Sequence, residues 1–198
     1  MTSLMGKRVL VVGGSSGIGQ AVAAQAGALG AEVTIASRSE DKLRKAAAVI
    51  GGEVRTAVLD SADASGVAAF FGDRPAFDHV VVSAAVTPIA SMRDLALADA
   101  RSAMESKFWG AYHVAHGAKI AERGSLTFIS GFLADRPLAG AALQGAINAA
   151  LDSLARGLAL ELSPIRVNSV SPGMIDTPLW ADMDAQAREA MYESVASS

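Results

Sequence analysis

Two apolar rhythms alternate along the whole chain and leave few folds open to it. Short runs rich in Val and Ile stand at residues 8–12, 33–36, 54–59, 79–82, 126–129 and 165–170. They do not alternate apolar with polar, which is the pattern of strands buried on both faces. Between them lie Ala-rich stretches with helical spacing, at 18–29, 40–50, 64–71, 100–122 and 141–162. Strand and helix repeated in this order predict an α/β fold: a doubly wound parallel sheet of six strands, with right-handed crossovers and helices on both faces. No linker, charge block or low-complexity tract interrupts the alternation, so residues 1–198 read as one domain.

Composition says what fills the layers. The chain holds 41 Ala and 19 Gly, about 30% of its 198 residues, with only 5% aromatics. Its core is therefore made of small and branched aliphatic side chains, and its helices can approach the sheet closely. A content of 51% hydrophobic residues excludes a disordered polyelectrolyte, and the absence of cysteine excludes a disulfide-stapled secreted module. A net charge of −3 and a pI near 5.6 argue against a nucleic-acid partner. Mean hydropathy is +0.33, yet no stretch reaches the about 18 uncharged apolar residues of a spanning helix. The longest candidate, 147–160, is interrupted by Asp152 and Arg156. Residues 1–7 show no signal-peptide pattern, so a cytoplasmic protein with no membrane partner is expected.

The first strand ends in Val12-Gly13-Gly14-Ser15-Ser16-Gly17-Ile18-Gly19, and a helix begins at once. Such a pattern is common on its own. Its place between the first buried strand and a helix favours a dinucleotide turn, in which glycines admit a pyrophosphate and free N–H groups face the anion, over an ordinary tight strand-to-helix turn. The second strand is followed by Ser37-Arg38-Ser39, with no acid at its tip. An acid there would bind the free 2′-hydroxyl of NAD, whereas an arginine fork flanked by hydroxyls suits the 2′-phosphate of NADP, so NADP(H) is favoured over NAD(H). A solvated Arg beside Glu40 and Asp41 is the plainer alternative. Asp60-Ser61, after the third strand, can accept from an adenine amino group or simply cap a helix.

At this point the chain resembles the short-chain dehydrogenase/reductase family over essentially its full length. The resemblance rests on Gly13–Gly19, on Asp60, and on the run 158–173, which reads Leu-Ala-Leu-Glu-Leu-Ser-Pro-Ile-Arg-Val-Asn-Ser-Val-Ser-Pro-Gly. It implies a Rossmann-type sheet with a seventh strand, which this chain does not contain. It also implies that Pro172, Gly173, Ile175 and Thr177 wrap the nicotinamide carboxamide. The segment after the fourth strand, Asn-Asn-Ala-Gly in the family, reads Val82-Ser83-Ala84-Ala85 here, and Val12 stands where the family often has Thr. Ser83 and Ala84 are thereby added to the cofactor positions.

The family's chemistry uses an Asn, a Ser, a Tyr and a Lys. Carried over by position, the Tyr falls on Gln144, the Lys on Asn148, the Ser on Gly131 beside Ser130, and the Asn on Lys107. Gln144 and Asn148 share one helix face. An amide donates hydrogen bonds but delivers no proton near neutral pH, and losing a general acid typically costs about 10²–10⁴-fold. Ser130 enters the site if a one-residue bulge ends its strand; in a regular strand it faces away from its neighbour Gly131. Lys107 either supplies a proton or orients a water, or is a solvated helix lysine. His113 and His116 lie six and nine positions beyond it, roughly 240° and 180° around a regular helix, and read as packing residues. Asp135 and Arg136 are loop residues that can also line a cleft. No metal site is expected.

The leading reading is an NADP-dependent oxidoreductase of this family, exchanging hydride with a small carbonyl, imine or enone substrate by a non-standard proton route. The alternative is a catalytically inactive dinucleotide-binding sensor or partner subunit, and an inert scaffold is a weaker third. The resemblance implies a homodimer or homotetramer joined through helices 100–122 and 141–162. Residues 176–198, with an amphipathic stretch at 181–195, are expected to cover the substrate cleft. The family's following helix and strand are absent, which would leave the sixth strand as an edge or mean that the chain is incomplete at that end.

Overall fold

The computed structural model describes residues 3–178 together with Asp184, Gln186, Arg188 and Glu189. Six parallel strands form one sheet in the order β3-β2-β1-β4-β5-β6. They are β1 (Arg8–Val12), β2 (Glu32–Ser37), β3 (Val54–Val58), β4 (Phe77–Val82), β5 (Ile120–Ile129) and β6 (Arg166–Val170). The helices are α1 (Gly17–Ala28), α2 (Glu40–Ile50), α3 (Ala64–Gly72), α4 (Leu97–Met104), α5 (Gly110–Gly117) and α6 (Ala142–Glu161). This is the Rossmann-type doubly wound order, which reverses direction between β1 and β4 and opens a crevice beyond their carboxyl ends.

Adjacent residues of β1 belong to different cores. Val9 and Val11 pack with Val33, Ile35 and Leu43 and with Ala23, Ala26 and Ala46, the alanines bringing α1 and α2 close to the sheet. Leu10 and Val12 pack on the other face with Phe71, Phe77, Phe128 and Leu151 of α3, β4, β5 and α6. That two-sided burial is why β1 reads as a continuous apolar run.

The strands at the two ends of the described sheet depart from this pattern. β3 is largely open and β6 exposes every second residue, so neither is buried on both faces. A strand with one sheet neighbour among the described residues has fewer elements packed against it, and apolar runs alone do not show this.

The largest correction concerns the helix expected at 100–122. It starts earlier, at Leu97, passes through a π-helical turn at Glu105–Trp109, and stops at Gly117. Ala118 is extended, and residues 120–122 belong to β5. The β4–β5 register jumps from Phe77↔Ile120 to His79↔Ser125, so the extra length of β5 is taken up by an irregularity at its start. No bulge occurs at the other end, where β5 and β6 stay in register from Ser125 to Ile129. Most of the stretch at 181–195 lies outside the described residues. No helix among the described residues is long and apolar enough to cross a membrane.

Candidate active site

The glycine turn between β1 and α1 is defined by atoms that are missing from its side chains. Gly13 has φ +86°, and a Cβ on it would lie 2.5 Å from the backbone nitrogen of Ala84. A Cβ on Gly19 would run into the carbonyl oxygen of Gly13. The turn is tied on both sides, Gly13 N–H donating to Ala36 O (2.8 Å) and Ser83 N–H to Val12 O (2.8 Å). Ser83 and Ala84 are thus locked against the turn by backbone contacts. Gly17, with φ +51°, faces the Thr177 side chain, whose Cβ would be 3.5 Å from an added Cβ. Residues 160 positions apart in the sequence therefore lie side by side at the start of α1.

The start of α1 differs from its neighbours. Its N-cap, Ser16, makes no side-chain cap bond, and its first turn holds no acid. By contrast α2 is capped by Ser39, which accepts from Lys42 N–H, and α3 by Asp63, which accepts from Ser65 N–H. The first amides of α1 are left without a side-chain acceptor, the arrangement that accommodates an anion. The donor set and the Cβ-free cradle fit the pyrophosphate of a dinucleotide.

The two neighbouring strand ends are simpler. Arg38 is exposed, and its side chain makes no hydrogen bond or ion pair among the described residues. Ser37 Oγ lies 3.5 Å from Ser39 O, at the limit of a hydrogen bond, and Ser39 is occupied as the α2 cap. Asp60 Oδ1 accepts from Ala62 N–H (3.0 Å), an Asx turn, and the cap of the following helix comes from Asp63 rather than from Asp60. Ser61 is buried, with its carbonyl 3.0 Å from His113 Nδ1. His113 also stacks on Trp109, and His116 on Tyr112, so both histidines are engaged in packing away from Lys107.

On the other side of the crevice the π-helical turn carries Lys107. Its Nζ donates to Ser130 O (2.8 Å) at the end of β5 and to Asn148 Oδ1 (2.6 Å) on α6. Burial pushes the lysine pKa down from 10.5 to about 8, against the opposing pull of Asp152 one turn beyond Asn148. Ser130 is buried, and its hydroxyl donates to Val170 O (3.3 Å) across to β6. That commitment follows from the unbroken strand register and directs the hydroxyl into the sheet rather than into the crevice. Gly131 is where Asn148 fits: a Cβ there would lie 2.7 Å from Asn148 Nδ2. Gln144 does share its helix face with Asn148, but its amide donates to Thr87 O (3.1 Å), Thr87 Oγ1 (3.3 Å) and Pro88 O (3.4 Å), clasping the segment after β4.

Three partners of this group escaped the sequence reading. Thr87 carries no pattern that marks it. Ser106, which accepts from Val86 N–H (2.9 Å), holds the same segment from the π-helical turn. Asp152 was visible only as a charge interrupting an apolar run; its spacing of four from Asn148 was the available signal. Its carboxylate is hydrogen-bonded by Ser169 Oγ. Asp135 and Arg136 are exposed and follow a short 3₁₀ turn at Phe132–Ala134. Among the described residues no group of three acidic or histidine side chains is placed to hold a metal ion.

The sequence and the fold are similar to those of known proteins. The family described as enoyl-(acyl carrier protein) reductase matches residues 12–197. The chain is 31% identical over 217 residues to the short-chain dehydrogenase/reductase ATR9 of Stachybotrys chlorohalonatus, covering 100% of this chain and 83% of that one. It is 34% identical over 184 residues to the cyclic-di-GMP-binding biofilm dispersal mediator protein of Escherichia coli (89% and 76% covered). With the NADP-dependent (R)-specific alcohol dehydrogenase of Lentilactobacillus kefiri it shares 33% over 209 residues (96% and 81% covered). Among solved structures, a small-chain dehydrogenase in complex with NADPH superposes with a TM-score of 0.80 at 32% identity, covering 97% of this chain and 81% of that one.

Proposed function

The chain belongs to the short-chain dehydrogenase/reductase family, and on that premise we propose that it is an NADP(H)-dependent oxidoreductase acting on a small carbonyl, imine or enone substrate. The observation that carries the reading is the glycine turn, closed to any Cβ at Gly13 and Gly19, with Gly17 lying against the Thr177 side chain. In this reading Ser15, Ser16, Gly17 and Ile18 receive the pyrophosphate, Arg38 with Ser37 and Ser39 the 2′-phosphate, and Asp60, Ser61, Ser83 and Ala84 the adenosine side. Pro172, Gly173, Ile175 and Thr177 hold the nicotinamide, which when bound supplies or accepts a hydride. The NADP-dependent relative and the NADPH complex support this choice of cofactor.

Proton handling falls to Lys107. Two of its three N–H donors are used by Ser130 O and Asn148 Oδ1, which leaves one for a substrate oxygen or a bridging water. With a pKa near 8 the ammonium can release a proton close to neutrality, which an ordinary lysine cannot. Asn148 orients Lys107, Ser130 contributes its carbonyl, and Gln144 positions the 87–88 segment beside the substrate. The chain acts in the cytoplasm as one domain, and as a homodimer or homotetramer through helices α4–α5 and α6, where Leu97, Trp109 and Leu160 are exposed.

A second reading, a dinucleotide-binding sensor without turnover, is favoured by one observation: the Gln144 amide and the Ser130 hydroxyl are already spent on backbone carbonyls. The name of the Escherichia coli relative likewise describes ligand binding. Titrating NADPH and NADH while following nicotinamide fluorescence, then screening carbonyl, imine and enone substrates for cofactor oxidation, separates the two. The oxidoreductase reading expects tighter NADPH binding and turnover in one class. Tight binding with no turnover in any class leaves the sensor.

A further inference from the structure

We propose a second ligand site on this chain: a cleft at the amino-terminal edge of the sheet that takes a small molecule bearing a phosphate or pyrophosphate group. The cleft has a volume of about 340 Å³, and Arg8, Arg55, Arg74, Thr34 and Phe77 line it. No acidic residue does. Its composition follows from strand register. Arg8 opens β1, Phe77 opens β4, and Thr34 of β2 is paired with Arg55 of β3. Helix α3 ends at Gly72, and the chain returns to β4 through Arg74 and Pro75, which form one wall.

Two of the three guanidinium groups are held in place by neutral partners. Arg8 Nη1 donates to Ala76 O (2.7 Å), and its guanidinium lies 4.8 Å from the centre of the Phe77 ring. Arg74 Nη1 donates to Phe70 O (2.6 Å), with its guanidinium 4.0 Å from the centre of the Phe70 ring. Neither has a carboxylate partner among the described residues. Arg55 pairs with Glu32 at 3.3 Å on an exposed edge. Asp78, the acid next to Phe77, is taken by Lys7 Nζ and the Arg8 backbone N–H.

Two guanidinium groups without a carboxylate partner, those of Arg8 and Arg74, line this space, and Arg55, met by Glu32, stands at its exposed edge. Each anchored guanidinium keeps several N–H donors in a planar fork, the geometry that grips phosphate through two bonds at once. A single carboxylate would neutralise one of the two; a phosphate or pyrophosphate, with two or more charges and several oxygens, can engage both and draw on Arg55 at the edge. The volume lies near the lower end of the roughly 300–1,000 Å³ of small-molecule sites, which limits the ligand to a compact one. Phe77 is buried beneath the cleft and serves as the surface on which the Arg8 guanidinium rests. Residues Arg8 to Val12 span β1, about 16 Å, and the glycine turn lies at its far end, so one compact ligand cannot occupy both.

The test is calorimetric titration of inorganic pyrophosphate into the full chain, with and without saturating NADPH. Binding is expected to persist with NADPH present and to weaken at least tenfold in Arg8→Gln/Arg74→Gln. Lys45→Gln, on the exposed face of α2 and outside both sites, leaves it unchanged. Should the double variant fail to fold, Arg55→Gln, an exposed side chain, is expected to weaken binding at least threefold. The proposal is overturned if pyrophosphate does not bind, if NADPH displaces it, or if the cleft variants bind it as the parent does. Displacement by NADPH would place the anion in the glycine turn, a result that leaves the cofactor reading standing.

Discussion

The two halves of the sheet carry different kinds of site. Between β1 and β3 the crevice is shaped by backbone: Gly13, Gly17 and Gly19 matter because they add nothing, and the amides of α1 need no side chain to present them. Between β4 and β6 it is shaped by side chains that fill one another's space. Lys107 reaches Asn148, and Asn148 occupies the room that Gly131 leaves. A backbone site tolerates almost no substitution: a Cβ at Gly13 or Gly19 meets another backbone atom, and Gly17 has a positive φ that disfavours one. A side-chain site can exchange its members, provided the exchanged group still packs and satisfies its hydrogen bonds. Under the proposed carry-over, the position matched to the family's Lys holds the Asn148 amide and the position matched to its Asn holds the Lys107 cation, so a buried charge would enter the site from a different helix.

The sharpest challenge to this contrast is Gly13→Ala. An added Cβ at 2.5 Å from Ala84 N, on a residue with φ +86°, is expected to cost about 3 kcal/mol or more, measured by urea unfolding, and to abolish NADPH binding. A stable, NADPH-binding variant would break the backbone half of the comparison.

Next comes Lys107→Met. If Lys107 gives the proton, the reductive rate is full where the ammonium is protonated, below about pH 8, and falls as pH rises through that value. The variant should lose about 10²-fold in kcat and the pH dependence with it. Stability carries a separate sign. The folded-state pKa lies below the free value of 10.5, so the buried charge destabilises the fold in full below about pH 8, and the cost is relieved between about 8 and 10.5. Urea unfolding of the parent should therefore show this contribution rising with pH over that window, and Lys107→Met should lack it.

A smaller effect is expected from Arg38→Asp, which replaces the exposed cation by an acid: NADPH should weaken relative to NADH by about 10–100-fold, or about 1.4–2.7 kcal/mol. An unchanged preference would remove Arg38 from the cofactor site. Smallest is Gln144→Ala, which releases the clasp on Thr87 and Pro88 for about 1 kcal/mol in thermal unfolding, with NADPH affinity unaltered. If the variant also loses NADPH, the side-chain half reaches further into the cofactor cleft than its contacts indicate.

Much of this was readable in advance, for identifiable reasons. β1, α1 and β2 were recognisable because burial on both faces forces continuous apolar runs, and the glycine turn because its spacing answers to backbone geometry. The helix expected at 100–122 went wrong because Ala-rich sequence supports helix well past Gly117, and only pairing with Phe77 draws Ile120 into β5. The π-helical turn has no composition of its own. Ser130 could be placed near the crevice but not oriented, since its direction depends on β6, some 40 residues later in the chain.

By itself the sequence determined the strand and helix order, the two-sided cores and the glycine cradle, because each depends on local periodicity or on residues that must lack a side chain. Only the tertiary structure decided which polar groups are free. It turned the Ser130 hydroxyl to Val170, engaged Gln144 with the 87–88 segment, and joined Lys107 to Asn148 across 41 residues of chain. It also gathered Arg8, Arg55 and Arg74 around one cleft. Hydrogen bonds and charges act through space, and the sheet register, which no single segment encodes, sets those distances.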